Sequence, residues 1–363
     1  MRVALFVTCL VDLLRPSVGF AAIKLLEAAG CTVHVPATQT CCGQPAYNAG
    51  DRAAAIALAR KTIAECEDAD YLVTPSGYCA DQIRNAYREL LADDPVWQNR
   101  AERLAGRTHE LSDFLATVLR VDALPGDFAG SVTHHDSCSG LRGLAIRDQP
   151  RALLARLPRL SLREMPGAEE CCGFGGTFSL GFGEISSAIA ERKCANARLT
   201  GADALVGGHA YGWVYPGPMG AILTPLFGGL EKALDLPQAS TLCRQCSAVC
   251  PVRIPPPGLL RKLRERQAGA GLRPRGERLA LRLWAWQALR PTLYALSTRV
   301  GVRYLNWLAG GAEHIAALGV APGWSVGRDL PAPQGKTFPE LHPRRQLASS
   351  RSRTLSHDKA RKR

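Results

Sequence analysis

Six of the thirteen cysteines fall in a pattern that occurs twice. Cys9 precedes the pair Cys41-Cys42-Gly43 with 31 residues between, and Cys138 precedes Cys171-Cys172-Gly173 with 32 between. Adjacent cysteines rarely serve packing alone, because one side chain must point away from whatever the other packs against. A glycine directly afterwards lets the backbone turn sharply or come close to a bulky group. Thiolates are the preferred ligands of soft metals, so a thiol pattern repeated about 130 residues apart reads as two related modules, each gathering sulfur around a soft-metal centre.

The elements that must position these thiols alternate between strand and helix. Residues 2–8 read as a strand with Cys9 at its end. Ser17 to Ala29 carries a helical stripe of Phe20, Ile23, Leu25 and Leu26 and stops at Gly30. Thr32 to Pro36 is a second strand leading to Cys41-Cys42. Asp51 caps an alanine-rich helix to about Glu67. Tyr71 to Thr74 is a third strand, followed by Cys79 and a helix to about Leu91. The second module repeats the order, with strands at Ser131–His135, Leu160–Met165 and Ala202–Val206 and a helix at Glu184–Arg198. The expected fold is therefore α/β, two modules of parallel strands with flanking helices, followed by a mostly helical C-terminal segment. Ligands in such sheets collect beyond the carboxyl ends of the strands. Cys9, Cys41, Cys42 and Cys79 all fall there.

Four thiolates satisfy an iron–sulfur cluster, and that is the expected use of Cys9, Cys41, Cys42 and Cys79. A structural zinc site and buried free cysteines are the rival readings. Matched spacing in two modules favours the cluster, since packing cysteines need not recur. The second set, Cys138, Cys171 and Cys172, is one thiolate short. His134, His135 and Cys194 are the nearby substitutes, but the histidines read as satisfying backbone groups and Cys194 as a small helix-packing residue, like Cys31 and Cys66. A third group, Cys243-x2-Cys246-x3-Cys250-Pro251, has part of the spacing of a bacterial ferredoxin cluster run. It too lacks a fourth thiolate. Some 35 Gly/Pro-rich residues separate it from the second module, so sharing of thiols between these two sets is not expected. The glycines of Cys172–Gly176 follow no dinucleotide-binding register.

The net charge of +13 is uneven. Residues 251–363 hold 22 Lys and Arg against 6 Asp and Glu, whereas the rest holds 23 against 26. The basic third suits nucleic acid, anionic lipid or an acidic partner, but it contains no recognisable nucleic-acid reader motif. Basic helices are expected at 258–268 and 276–290, the former after the break at Pro255-Pro256-Pro257, and the latter could lie on a membrane surface. The stretch at about 291–320 carries Arg299, Arg303 and Glu313, and at about 2.5–3.5 kcal/mol for each central arginine it is not a membrane span. Met1 to Cys9 reads as a strand rather than a secretory signal. Reduced thiols then imply a cytoplasmic setting.

Thr8-Cys9, Arg15-Pro16-Ser17-Val18-Gly19, Gln39–Pro45, Pro75–Cys79, His135–Cys138 and Cys171–Ser179 together resemble the cysteine-rich CCG-domain family over residues 1–206. The likeness is nearest to lactate-utilisation protein A and the glycolate-oxidase iron–sulfur subunit. The cysteine-rich subunit of heterodisulfide reductase, whose clusters have an unusual form, is a further relative. It has one more cysteine two residues after the position of Cys79, where Ala80-Asp81-Gln82 offers none. Residues 207–343 resemble the C-terminal part of lactate-utilisation protein B, through Gly207–Gly212, Tyr215–Pro218, Cys243–Pro251 and Arg328–Pro331. The full C-x2-C-x2-C-x3-C-P run of that family is missing near Ala204–Gly208, and so is the last cysteine of the second module. The economical reading is an in-frame deletion that fused two neighbouring genes. The implied organisation is a first module over 1–125, a truncated second module over 126–206, the region similar to protein B over 207–343 and a basic disordered tail over 344–363. The implied function is an iron–sulfur component, [4Fe–4S] in type, of an oxidoreductase for L-lactate, glycolate or another 2-hydroxy acid. It would pass electrons toward a quinone or other acceptor alongside other lactate-utilisation subunits. Its candidate ligands are Cys9, Cys41, Cys42, Cys79, Cys138, Cys171, Cys172, Cys243, Cys246 and Cys250. The alternatives are a fusion remnant without turnover and a basic nucleic-acid-binding protein.

Overall fold

The protein is described from a computed structural model, over residues 1–173, 178–206, 230–232, 234–248, 255–319 and 329–342. In the first module the strands are β1 (Arg2–Leu5), β2 (Thr32–His34), β3 (Tyr71–Thr74) and β4 (Thr108–Glu110), all parallel in the order β2-β1-β3-β4. Alternate residues serve opposite faces of this sheet. Ala4, Phe6 and Leu72 enter one apolar cluster, and Val3, Leu5, Val7 and Val73 enter the other. A parallel strand buried on both faces reads as a continuous apolar run, which is why residues 3–7 contain no charge.

The connecting helices are α1 (Cys9–Leu14), α2 (Pro16–Ala28), α3 (Gln44–Ala49), α4 (Arg52–Cys66), α5 (Gly77–Asp81), α6 (Tyr87–Leu90), α7 (Pro95–Ala105) and the single turn α8 (Leu111–Asp113). Asp51 accepts from the Ala54 amide at 3.1 Å and so caps α4 as its type and position predict.

The second module has β5 (Gly130–His134), β6 (Leu160–Leu162) and β7 (Ala204–Val206), again parallel, in the order β6-β5-β7. This is the order of the first three strands of the first module, so the repeat seen in the cysteines extends to the sheet. Its helices are α9 (Cys138–Leu144), α10 (Asp148–Leu154), α11 (Phe178–Gly181) and α12 (Gly183–Leu199).

The C-terminal region is helical, with α13 (Gln245–Ala248), α14 (Pro256–Gly269), α15 (Arg275–Ala288) and α16 (Pro291–Ala309), then a short antiparallel pair of β8 (His314–Ile315) and β9 (Leu330–Pro331). It is stitched onto the first module. Arg264 Nη1 donates to Asn48 O at 2.9 Å, Arg273 Nη1 to Ala49 O at 2.7 Å and Thr40 Oγ1 to Ala288 O at 2.6 Å. The Arg264 backbone lies so close to Gly50 that a Cβ there would sit 2.5 Å from its carbonyl carbon. Phe338 is buried beside Phe20, and its amide donates to Asp12 Oδ1 at 3.0 Å. Among the described residues, no helix is long and apolar enough to cross a membrane.

The expected tail from 344 and the segment Gly207–Pro218 lie outside the described residues, as does Cys250.

Candidate functional site: two thiol sets at the ends of two sheets

Cys9 and Cys138 hold equivalent places. Each is the first residue of the helix that follows the first strand of its module, and each helix is capped by the preceding hydroxyl. Thr8 Oγ1 accepts from Val11 N at 3.2 Å, and Ser137 Oγ accepts from Gly140 N at 3.2 Å. Cys79 lies in α5, capped by Ser76. The cap fixes the helix start, and the start fixes the direction of the thiol. The paired cysteines follow β2 and β6 and end on glycines in the left-handed region, Gly43 at φ 84° and Gly173 at φ 72°. A side chain at Gly43 would also meet Leu58 Cβ at 3.1 Å. Glycine after the cysteine pair is thus a backbone requirement in both modules.

The first set converges. Cys42 Sγ lies 3.5 Å from Cys79 Sγ, Cys41 is in hydrogen-bond contact with both Cys42 and Cys9, and Cys41, Cys42 and Cys79 are buried. The hydrogen bond with Cys41, followed by burial, pushes the Cys9 thiol well above its ordinary pKa. Fully buried Tyr87 donates its hydroxyl to Cys42 O at 2.8 Å and holds the loop. Ala288 and Tyr294 of the C-terminal helices pack beside Cys9 and close the set from outside.

The second set also converges, and it includes a member that the spacing did not predict. Cys138 is in hydrogen-bond contact with Cys171, Cys172 and Cys243, and these bonds hold its pKa well below that of a free thiol. The expectation that Cys243 stays with Cys246 and Cys250, apart from the second module, therefore does not hold. Arg142 of α9 donates Nη1 to Cys243 O at 3.2 Å, the Thr241 hydroxyl lies 3.3 Å from Cys171 Sγ, and Arg244 pairs with Asp81 at 2.9 Å. These three contacts bring the strand of chain around Cys243 across the 35-residue connection. Cys246 sits on α13, partly exposed, and its one described thiol neighbour is Cys243.

Each of the histidines considered as substitutes has one ring nitrogen engaged and the other buried without a hydrogen-bond partner. His135 Nδ1 donates to Ala168 O at 3.0 Å, and His134 Nε2 lies 3.4 Å from Asp136. Burial, then the nearby Lys193 charge, lowers the His135 pKa to about 4, so the ring is neutral at pH 7. Cys194 is partly buried on α12, Cys31 is buried in the apolar cluster on the other face of the first sheet, and Cys66, the last residue of α4, is buried in the apolar cluster that also holds Cys41, Cys42 and Cys79.

Sequence reasoning missed Lys193. Its buried ammonium donates to the carbonyls of Gly167, Ala168 and Glu170 and so supports the turn that presents Cys171-Cys172. A lysine on a helix otherwise reads as a surface residue, and only the Pro166-Gly167 turn before the pair hints that its carbonyls need a donor.

The two sets adjoin. Helices α5 and α9 meet so closely that a Cβ on Gly77 would lie 3.0 Å from Gly140 N and 3.1 Å from Gly140 Cα. Tyr78, next to Cys79, has its phenol pKa raised by burial and then by Cys138, Cys172, Cys171 and Cys243, which places it between the sets. An open cavity of about 1120 Å³ is walled in part by Asp136, Arg151, Cys171, Thr241 and Cys243. The second set is thus approachable from solvent, whereas the first is covered.

All eight positions are thiols, with no carboxylate among them, which is the donor chemistry of a soft-metal or iron–sulfur centre. Among the described residues, no group of three His, Cys, Asp or Glu side chains is arranged to hold a single metal ion.

The cysteine-rich domain (CCG) family model matches residues 3–84 and 132–210, the two modules. Lactate utilization protein A of Bacillus thuringiensis (strain Al Hakam) and of Bacillus cereus (strain AH187), and lactate utilization protein A 1 of Bacillus cereus (strain Q1), are each 43% identical over 207 residues, 57% of this chain and 86% of each relative. The chain belongs to the lactate utilization protein A family. Within it, Cys9, Cys41, Cys42, Cys79, Cys138, Cys171 and Cys172 lie inside the matched domains, and Cys243 and Cys246 lie outside them.

Proposed function

We propose that the chain is an iron–sulfur electron-transfer component of lactate, or related 2-hydroxy-acid, oxidation. The observation that carries this reading is the pair of thiol-only sets at equivalent ends of two repeated parallel sheets, in a chain similar to lactate utilization protein A. Clusters of [4Fe–4S] type held there supply one-electron carriage. The chain's own residues bury the first set, leave the second at an open cavity and set the two against each other across α5 and α9. The sequence holds no dinucleotide-binding motif, so oxidation of the acid is the work of a partner lactate-utilisation protein, with electrons passing onward to a quinone or other acceptor in a cytoplasmic setting.

Residues 207–343 we read as the C-terminal part of lactate-utilisation protein B, joined by an in-frame deletion. Exposed apolar side chains on α15 and α16, among them Leu283, Trp286, Val300 and Trp307, stand among six arginines and one glutamate over residues 275–309. Such a face suits peripheral contact with anionic lipid, where a quinone acceptor resides.

Anaerobic purification with iron and sulfide quantitation tests the reading. The wild-type chain should contain both elements and a visible absorbance that dithionite bleaches, and Cys41→Ser should lower both. A chain purified without iron, sulfide or colour, and unable to take them up on reconstitution, would end it.

A further inference from the structure

Four observations single out the turn at Cys243. Its thiol meets that of Cys138, which also meets Cys171 and Cys172, so four sulfurs from three separate stretches of chain gather at the end of the second sheet. Its flanking residues, Leu242 at φ 55° and Arg244 at φ 64°, both occupy the left-handed region. Backbone strain of this kind in a bulky and a long side chain persists only where the surroundings hold it, and it clusters at ligand clamps and active sites. The turn is fixed on both sides, by Arg142 from α9 on the Cys243 carbonyl and by Asp81 from α5 on the Arg244 guanidinium. Asp81 in turn accepts from Asn85 at 2.7 Å, so the anchor belongs to the helix that carries Cys79 of the first set. Finally, the first module draws its fourth thiolate from the stretch after its third strand, and the chain after β7 has no cysteine before Cys243.

We propose that Cys243 is the fourth thiolate of the second set, so that Cys138, Cys171, Cys172 and Cys243 hold one cluster. The C-x2-C spacing with Cys246 is then a remnant of a different ligand run. The proposal rests on the iron–sulfur reading above and completes it. A second module left one ligand short by the seam regains full thiolate coordination from the region beyond the seam. The reading of the chain as an inactive remnant loses its main support at the same point.

The test uses the full-length chain, reconstituted anaerobically with iron and sulfide, with iron per chain and the electron paramagnetic resonance spectrum of the reduced protein as readouts. Cys138→Ser defines the loss due to the second set and Cys41→Ser the loss due to the first. Cys243→Ser should lose the same iron and the same signal as Cys138→Ser, and the double variant Cys138→Ser/Cys243→Ser should lose no more. Cys243→Ser with Cys41→Ser should lose both shares, and Cys246→Ser should match wild type. Iron retained on the first set shows that the Cys138→Ser and Cys243→Ser variants are folded, and iron retained on the second set shows the same for Cys41→Ser. Wild-type iron in Cys243→Ser, or an equal loss in Cys243→Ser and Cys246→Ser, would overturn the assignment while leaving the functional reading intact. A wild-type chain that takes up no iron would overturn the functional reading itself, and this ligand set with it.

Discussion

Asp12 shows what a single buried group does to this protein. It lies in α1, three residues after Cys9, and accepts the Phe338 amide at 3.0 Å. Burial raises its carboxyl to about 6, against which the amide bond works only in part. A carboxyl with a raised folded pKa binds more protons in the folded than in the unfolded state between roughly pH 4 and 6, so stability falls as pH rises through that window. Asp12→Asn keeps an acceptor for the amide and removes the titration. Denaturant unfolding from pH 4 to pH 7 should show wild type losing about 2 kcal/mol relative to the variant, and parallel curves would refute the assignment. Asp136 behaves in the opposite sense. Its burial opposes ionisation, but Arg151 and His134 outweigh it and hold the carboxyl well below the usual range.

At the scale of elements, the feature that sets the two thiol sets apart by a fixed distance is the contact of α5 with α9. Gly77 is a close point of that contact, with Ser137 Oγ at 2.9 Å and the Gly140 backbone at 3.0 Å from a would-be Cβ. Gly77→Val should force the helices apart and cost about 1–3 kcal/mol in equilibrium unfolding, with faster alkylation of Cys138, which is 2% exposed in the native protein. Gly276→Val, where a Cβ meets nothing within 4 Å, should leave alkylation unchanged and serves as the control. An unaltered Cys138 rate in Gly77→Val would mean that α9 does not depend on this contact. What is readable in the sequence at this scale is local. The uncharged run of residues 3–7, the Asp51 cap, the Tyr71–Thr74 strand and the glycines after each cysteine pair all act within a few residues of themselves. The fourth strand Thr108–Glu110 is not readable, because three residues with a central histidine carry no period. Nor is the place of Cys243, since its nearest sequence neighbours spell a different ligand run and its partners lie about 70 to 105 residues away. Of the eight thiols that the fold brings together, six stand in the repeated spacing that the sequence displays and Cys79 follows the third strand of the first module, whereas Cys243 stands in a different run.

For the molecule as a whole, the excess positive charge of residues 251–363 is carried in part by the same two helices that expose Trp286 and Trp307. Arg290 stacks over Trp286 at 4.4 Å, so charge and apolar surface are interleaved rather than segregated. Sedimentation with vesicles of mixed phosphatidylserine and phosphatidylcholine should carry the protein down at low salt and release it as salt rises, and Trp286→Glu/Trp307→Glu should weaken this binding. Equal sedimentation with neutral vesicles would remove the electrostatic part of the argument. The same helices close the first thiol set, through Thr40 on Ala288 and Tyr294 beside Cys9, and this has a consequence for biosynthesis. All four thiols of that set leave the ribosome long before their cover. At ~5–20 residues per second, the roughly 210 residues between Cys79 and Ala288 take on the order of 10–40 s to make. For that interval the first sheet has its thiols in place and its outer wall missing, so the same four sulfurs are open both to an incoming metal and to an oxidant.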